Sequence, residues 1–165
     1  MQLLARIRIS LAIFMCGLVA SGLTAFPLRA EANMLLRFLH EPWLEPVGLK
    51  LGLTAWMETI ARALSETGER YPFLAYGTDW LAFAHLVIAL AFIGPYREPV
   101  RNKWVVTFGL VACAAVLPLA LIAGHIRHIP FAWRLLDCSF GVFGAIPLLY
   151  CRTLIMKLEQ QGGVR

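Results

Sequence analysis

Asp79, His85, His125, Arg127, His128, Arg134 and Asp137 are the side chains in the second half of the chain whose types suit chemistry. An acid and a histidine able to change charge inside a protected cavity are what a proton- or solute-coupled site requires, and Asp137 with His85 supplies such a pair. Two histidines on adjacent helices can also hold haem iron axially. His85 and His125 offer that arrangement, although His125 falls at a helix end and His85 further in. The His125-x-x-His128 spacing invites a metal ion. No carboxylate or cysteine nearby completes a ligand set, however, and Pro130 interrupts the helix that would carry it, so no metal is expected. The plainest reading is structural. Arg134 and Asp137, at i and i+3, pair and fix the register of their helix, while His85 is satisfied by a backbone carbonyl or shares a hydrogen bond with Asp137 across the helices. Catalysis finds no support: the chain holds no Ser-centred nucleophile motif, no Gly-rich phosphate loop and no paired-carboxylate motif.

These residues have to be positioned by very apolar elements. Of 165 residues, 59% are hydrophobic and 15% charged. A soluble domain carries about 25% charged residues, and a chain this apolar has no polar shell with which to cover a core. A soluble globule, a disordered tail and a disulfide mini-protein are thereby excluded. Four stretches are of spanning length, about 7–26, 77–96, 104–124 and 131–151. The expected fold is an all-α membrane protein, a single domain over 1–165, with four transmembrane helices in an antiparallel bundle. The first stretch also fits a signal peptide, because Arg6 and Arg8 precede an apolar run. Leu28-Arg29-Ala30 is a poor cleavage site, which favours a retained helix.

The remaining polar segment, the loop 27–76, contains a short helix from Arg29 to His40, stopped by Pro42 and Pro46. From about 47 to 67, Leu49, Leu53, Trp56, Met57, Ile60 and Leu64 recur at helical spacing opposite Lys50, Thr54, Glu58, Arg62 and Glu66. That pattern predicts one amphipathic helix, lying on the membrane or folded against the bundle, with Gly68 as its stop. Within the spans, small residues mark the contact faces: Ala82 and Ala89 beside His85, Gly109 with Cys113, and Gly141, Gly144 and Ala145 on the stripe of Asp137. Pro118 and Pro147 each remove a helical hydrogen bond. Cys16, Cys113, Cys138 and Cys151 are isolated in apolar segments, with no zinc-like spacing, and read as free thiols in the core.

The net charge of +5 is distributed as a topology signal and not as a nucleic-acid patch. Arg6 and Arg8, then Arg97, Arg101 and Lys103, then Arg152, Lys157 and Arg165 flank one end of the spans, whereas the short hairpin at the other end holds one basic residue, Arg127, or two with Arg134. The long loop has five basic and seven acidic residues counting Asp79, but a loop of that length weighs less. Both termini are therefore expected in the cytoplasm and the loop 27–76 outside. The seven chemistry-bearing residues then share the outer half, where each ionisable group within a span costs about 2.5–3.5 kcal/mol without a partner or a wet cavity. Tyr71, Tyr76, Trp80 and Trp133 fall toward the outer headgroups, and Tyr96, Trp104 and Tyr150 toward the inner ones.

The stretches Glu69-Arg70-Tyr71-Pro72-Phe73-Leu74-Ala75-Tyr76-Gly77-Thr78-Asp79-Trp80 and Ile129-Pro130-Phe131-Ala132-Trp133-Arg134-Leu135-Leu136-Asp137-Cys138 resemble those of uncharacterised small bacterial four-helix integral membrane proteins, and the likeness runs over most of the chain. The resemblance implies a bacterial inner-membrane location and no particular activity. The expected function is that of a small accessory or scaffold protein, with proton-linked transport or sensing as the alternative and haem redox chemistry as a weaker one. Its expected partners are the lipid bilayer and other membrane proteins or further copies of itself, with no nucleic acid.

Overall fold

The computed structural model describes residues 2–162, which are all-helical, with no strand among the described residues. Arg165, one of the basic flanking residues, lies outside them. Helix α1 covers Gln2–Ala25, α2 Leu28–Leu39, α3 Glu45–Lys50 and α4 Leu53–Arg70. Helix α5 (Ala75–Ala91) runs into the short α6 (Ile93–Arg97). Helix α7 (Lys103–Pro118) passes through a wide turn, Leu119–Ala123, into α8 (Gly124–Ile126), and α9 (Phe131–Gly162) closes the chain. Four segments are long and apolar enough to cross a membrane: Gln2–Ala25, Pro72–Arg97, Lys103–Ile126 and Phe131–Gln161. Ile9, Ile13, Leu90, Val111, Phe140, Phe143 and Ile146 stand exposed along them. Exposed apolar side chains in such number suit a hydrocarbon solvent.

The long helices pack in the order α5, α1, α9, α7, with no extensive contact between α5 and α9. Each neighbour is antiparallel. At one end the Arg8 guanidinium donates to the Tyr96 carbonyl and lies over its ring, and Lys103 pairs with Glu159 at 2.8 Å. At the other end Gly22 of α1 meets His85 of α5, and Gly124 meets Arg134 of α9. Small residues permit this closeness, because without a bulky side chain two helix backbones can approach one another. A Cβ at Gly141 would lie 2.5 Å from the Cys113 carbonyl oxygen of α7. Between α1 and α9, the Ser10 hydroxyl donates to the Pro147 carbonyl at 2.7 Å from a buried position. One apolar core joins the spans through Ile7, Leu11, Phe92, Val106, Leu148, Cys151 and Ile155. The four cysteines are free thiols, but only Cys113 and Cys151 are buried in that core; Cys138 is half-buried and Cys16 exposed.

A second core holds the polar segment together. Ala32 and Leu39 of α2 close on Met57 of α4, with Leu35, Leu36, Ile60 and Leu64 around them. Trp133 of α9 packs against this cluster and ties the unit to the spans. The amphipathic face of α4 is thus covered mainly by α2, within the polar segment itself, a third arrangement beside lying on the membrane or folding against the bundle. The helix expected over 47–67 is also broken. Gly52 takes φ +69, a left-handed conformation that costs glycine little, and separates α3 from α4. Gly68 does not stop α4, which runs to Arg70, where Pro72 follows and the Tyr71 backbone leaves the helical region.

Candidate polar site

The antiparallel order carries the candidate residues to the end of the array opposite Lys103 and Glu159, but it divides them. Asp79 and His85 belong to α5 and Arg134 and Asp137 to α9; both helices pack on α1, but they make no extensive contact with one another. The expected hydrogen bond between His85 and Asp137 is therefore absent among the described residues. His85 is half-buried, and its Nδ1–H donates to the Leu81 carbonyl one turn earlier at 2.8 Å. A carbonyl can only accept, so that contact fixes the proton on Nδ1 and leaves Nε2 as the free ring nitrogen in the neutral form.

Arg134 does not pair with Asp137 either. Its stem lies along Gly124, where an added Cβ would come within 2.7 Å of the Arg134 side chain. Its guanidinium stacks over Phe131 at 5.2 Å, and Nη1–H donates to the Leu121 carbonyl at 3.3 Å. The backbone makes that acceptor accessible: after Pro118 the chain widens into the π turn Leu119–Ala123, and such turns loosen the regular carbonyl pairing. The Arg134 Nε–H is buried without an acceptor among the described residues. A neighbouring helix's carbonyl, and not the carboxylate on its own helix, has captured the guanidinium. Asp137 is half-buried one turn before Gly141, and no hydrogen bond or ion pair reaches it among the described residues.

The His125-x-x-His128 pair has a conformational explanation. The Ile129 N–H donates to the Gly124 carbonyl at 2.9 Å and the His128 N–H to the His125 carbonyl at 3.1 Å, while His128 takes φ 57. Those two bonds around a left-handed residue form a Schellman closure of α8, in a position usually held by glycine. Pro130 then prevents the helix from resuming. His125, Arg127 and His128 are all exposed. His128→Gly removes the strain of a side chain at positive φ and is expected to stabilise the protein by about 0.5–1 kcal/mol, raising the unfolding midpoint by a few degrees. A lowered midpoint would mean that the imidazole makes a contact worth more than the strain.

No group of His, Cys, Asp and Glu side chains among the described residues is arranged to hold a metal ion. For haem, His85 sits half-buried in α5 and His125 exposed in α8, two helices with no extensive contact between them among the described residues. The two do not face one another across a shared helix contact. The histidine that sequence reasoning left out is His40 at the end of α2. Its ring stands between carboxylates, Nδ1 3.9 Å from Glu45 and Nε2 3.7 Å from Glu58. Its signal in the sequence was weak, because the break at Gly52 is what folds Glu45 and Glu58 toward one point. A scan against protein-family models, a search of curated proteins and a search of solved structures each found no match to this chain.

Proposed function

We propose that the chain is a multi-pass protein of a bacterial inner membrane, with both termini in the cytoplasm, that serves as an accessory or scaffold component. The observation carrying this reading is how the polar side chains are used. Arg134 locks α9 to the turn after α7, His85 closes on its own helix, and His128 caps α8, so these groups do not converge on one cavity. The folded α2–α4 unit, outside in this topology, is the part available to a partner in the aqueous phase. The antiparallel packing supports the orientation, since it gathers Arg6, Arg8, Arg97, Arg101, Lys103, Arg152 and Lys157 toward one end. Reporter fusions at residue 50 and at the C-terminus test it. The expected signals are extracytoplasmic for the first and cytoplasmic for the second, and an external C-terminus would defeat the topology.

A second reading, a proton-linked transport or sensing protein, is favoured by Asp137 alone, a half-buried carboxyl within a span that has no partner among the described residues. Acids in that position are expensive and are commonly retained for function. Asp137→Asn with His85→Gln separates the readings. For a scaffold, the double variant changes thermal stability by less than about 1 kcal/mol and abolishes no pH-dependent flux in proteoliposomes. Loss of a pH-dependent flux with folding unchanged would establish the second reading.

A further inference from the structure

We infer that the cleft between α7 and α9 at the basic end is a binding site for an anionic phospholipid of the adjoining leaflet, with the phosphate held by Arg152 and Lys103. This inference rests on the membrane reading. A groove of about 440 Å³ opens there between Lys103, Trp104 and Thr107 on one helix and Arg152, Met156 and Glu159 on the other. Lys103 is held in place by Glu159 through contacts of 2.8 and 3.1 Å to its two carboxylate oxygens. Arg152 has no hydrogen bond or ion pair among the described residues, so the cleft carries one cation more than its anions neutralise.

The position of Arg152 makes that imbalance informative. It lies deeper than Glu159 by about 10 Å along the helix, at roughly 1.5 Å per residue. An arginine at the boundary of the hydrocarbon requires a counter-charge or a route to the headgroups, and its long stem lets the guanidinium reach toward the interface. In this cleft the route leads along the groove to Lys103. The walls between the two cations are apolar, formed by Met156 and by Trp104, whose ring is largely exposed. A phosphodiester bridging the cations with an acyl chain along Met156 satisfies both kinds of surface. Basic clefts between membrane helices on the cytoplasmic side suit anionic headgroups, and removal of one surface cation costs about 1 kcal/mol, a change of about five-fold in affinity.

The test is native mass spectrometry of the full chain purified in detergent and offered phosphatidylglycerol or phosphatidylethanolamine. Phosphatidylglycerol is expected to be retained in preference, and Arg152→Gln to weaken it about five-fold. Lys157→Gln, a charge loss on the exposed surface of the same helix outside the groove, is expected to leave retention nearly unchanged. Equal retention of the two lipids, or an equal loss in both variants, would overturn the site. Displacement by inorganic phosphate would overturn it as well, reassigning the cleft to a soluble anion. Should Arg152→Gln fail to fold, Met156→Trp fills the groove with both cations kept and has to reproduce the loss. A protein released from membranes by alkaline washing would defeat the membrane reading itself, whereas one that stays in the membrane without preferring anionic lipid defeats only the cleft.

Discussion

Gly141→Leu is expected to prise α9 from α7 and to destabilise the protein by about 3 kcal/mol or more, lowering the unfolding midpoint in detergent by roughly 6–12 °C. The reason is the obstacle that the new side chain meets. Even the first carbon, Cβ, would lie 2.5 Å from the Cys113 carbonyl oxygen, with Val116 Cβ and Leu117 Cδ1 both at 3.2 Å. A flexible side chain could swing aside, but a carbonyl in the middle of α7 moves only with its helix. In the proposed membrane setting the loss is not made good elsewhere, because backbone approach is itself the source of attraction between helices in lipid. Gly17 provides an internal control. A Cβ there meets nothing within 4 Å, so Gly17→Leu is expected to be neutral or stabilising by up to about 1 kcal/mol through helix propensity. Equal effects at the two glycines would refute the α7–α9 contact.

Phe92→Ala is expected to cost about 3 kcal/mol by the same measurement. Phe92 is fully buried where α5 passes into α6, with Phe14 of α1 at 4.7 Å between ring centroids. It also touches Gly109 of α7, so one ring joins elements that are not neighbours in the packing order. In the proposed membrane setting most of the transfer free energy of the ring drops out of the balance, and what remains is the cavity and the forfeited dispersion contacts. The glycine beneath the ring offers a sharper test. A methyl at Gly109 would come within 2.7 Å of Phe92 Cζ and 2.8 Å of Leu148 Cδ1. Gly109→Ala alone is therefore expected to destabilise by about 1–3 kcal/mol, and Phe92→Leu to relieve part of it, with a coupling of about 1 kcal/mol in a double-mutant cycle. Strict additivity would show that the ring and the glycine do not share that space.

The spans and their contact faces were legible because they depend on local arithmetic. Length at a fixed rise per residue identifies a helix able to cross hydrocarbon, and small residues at helical spacing identify the side on which another helix can come close. Ala82, Ala89, Gly109, Cys113, Gly141 and Gly144 all lie at contacts between helices. The candidate polar cluster was less legible, because a shared depth is readable from a sequence and a shared azimuth is not. His85 and Asp137 both belong to the end of the array away from Lys103, but α5 and α9 each pack on α1 without extensive contact with one another. Arg134 shows the same limit at closer range. Its spacing from Asp137 favoured a pair within the helix, whereas the carbonyl it bonds belongs to a π turn set up by Pro118.

By itself, the sequence determined that the chain forms four helices long and apolar enough to cross a membrane, with basic residues flanking the first span, the 97–103 connection and the last span, because length, hydropathy and charge placement are properties of each segment alone. The tertiary structure decided which polar groups meet. It separated His85 from Asp137, gave Arg134 a backbone partner, put His128 to use as a helix cap, folded α4 onto α2 and opened the cleft between Lys103 and Arg152. Those outcomes depend on the order in which helices pack and on where a single turn widens or reverses. Both are fixed by contacts between residues far apart in the chain, and no segment specifies them alone.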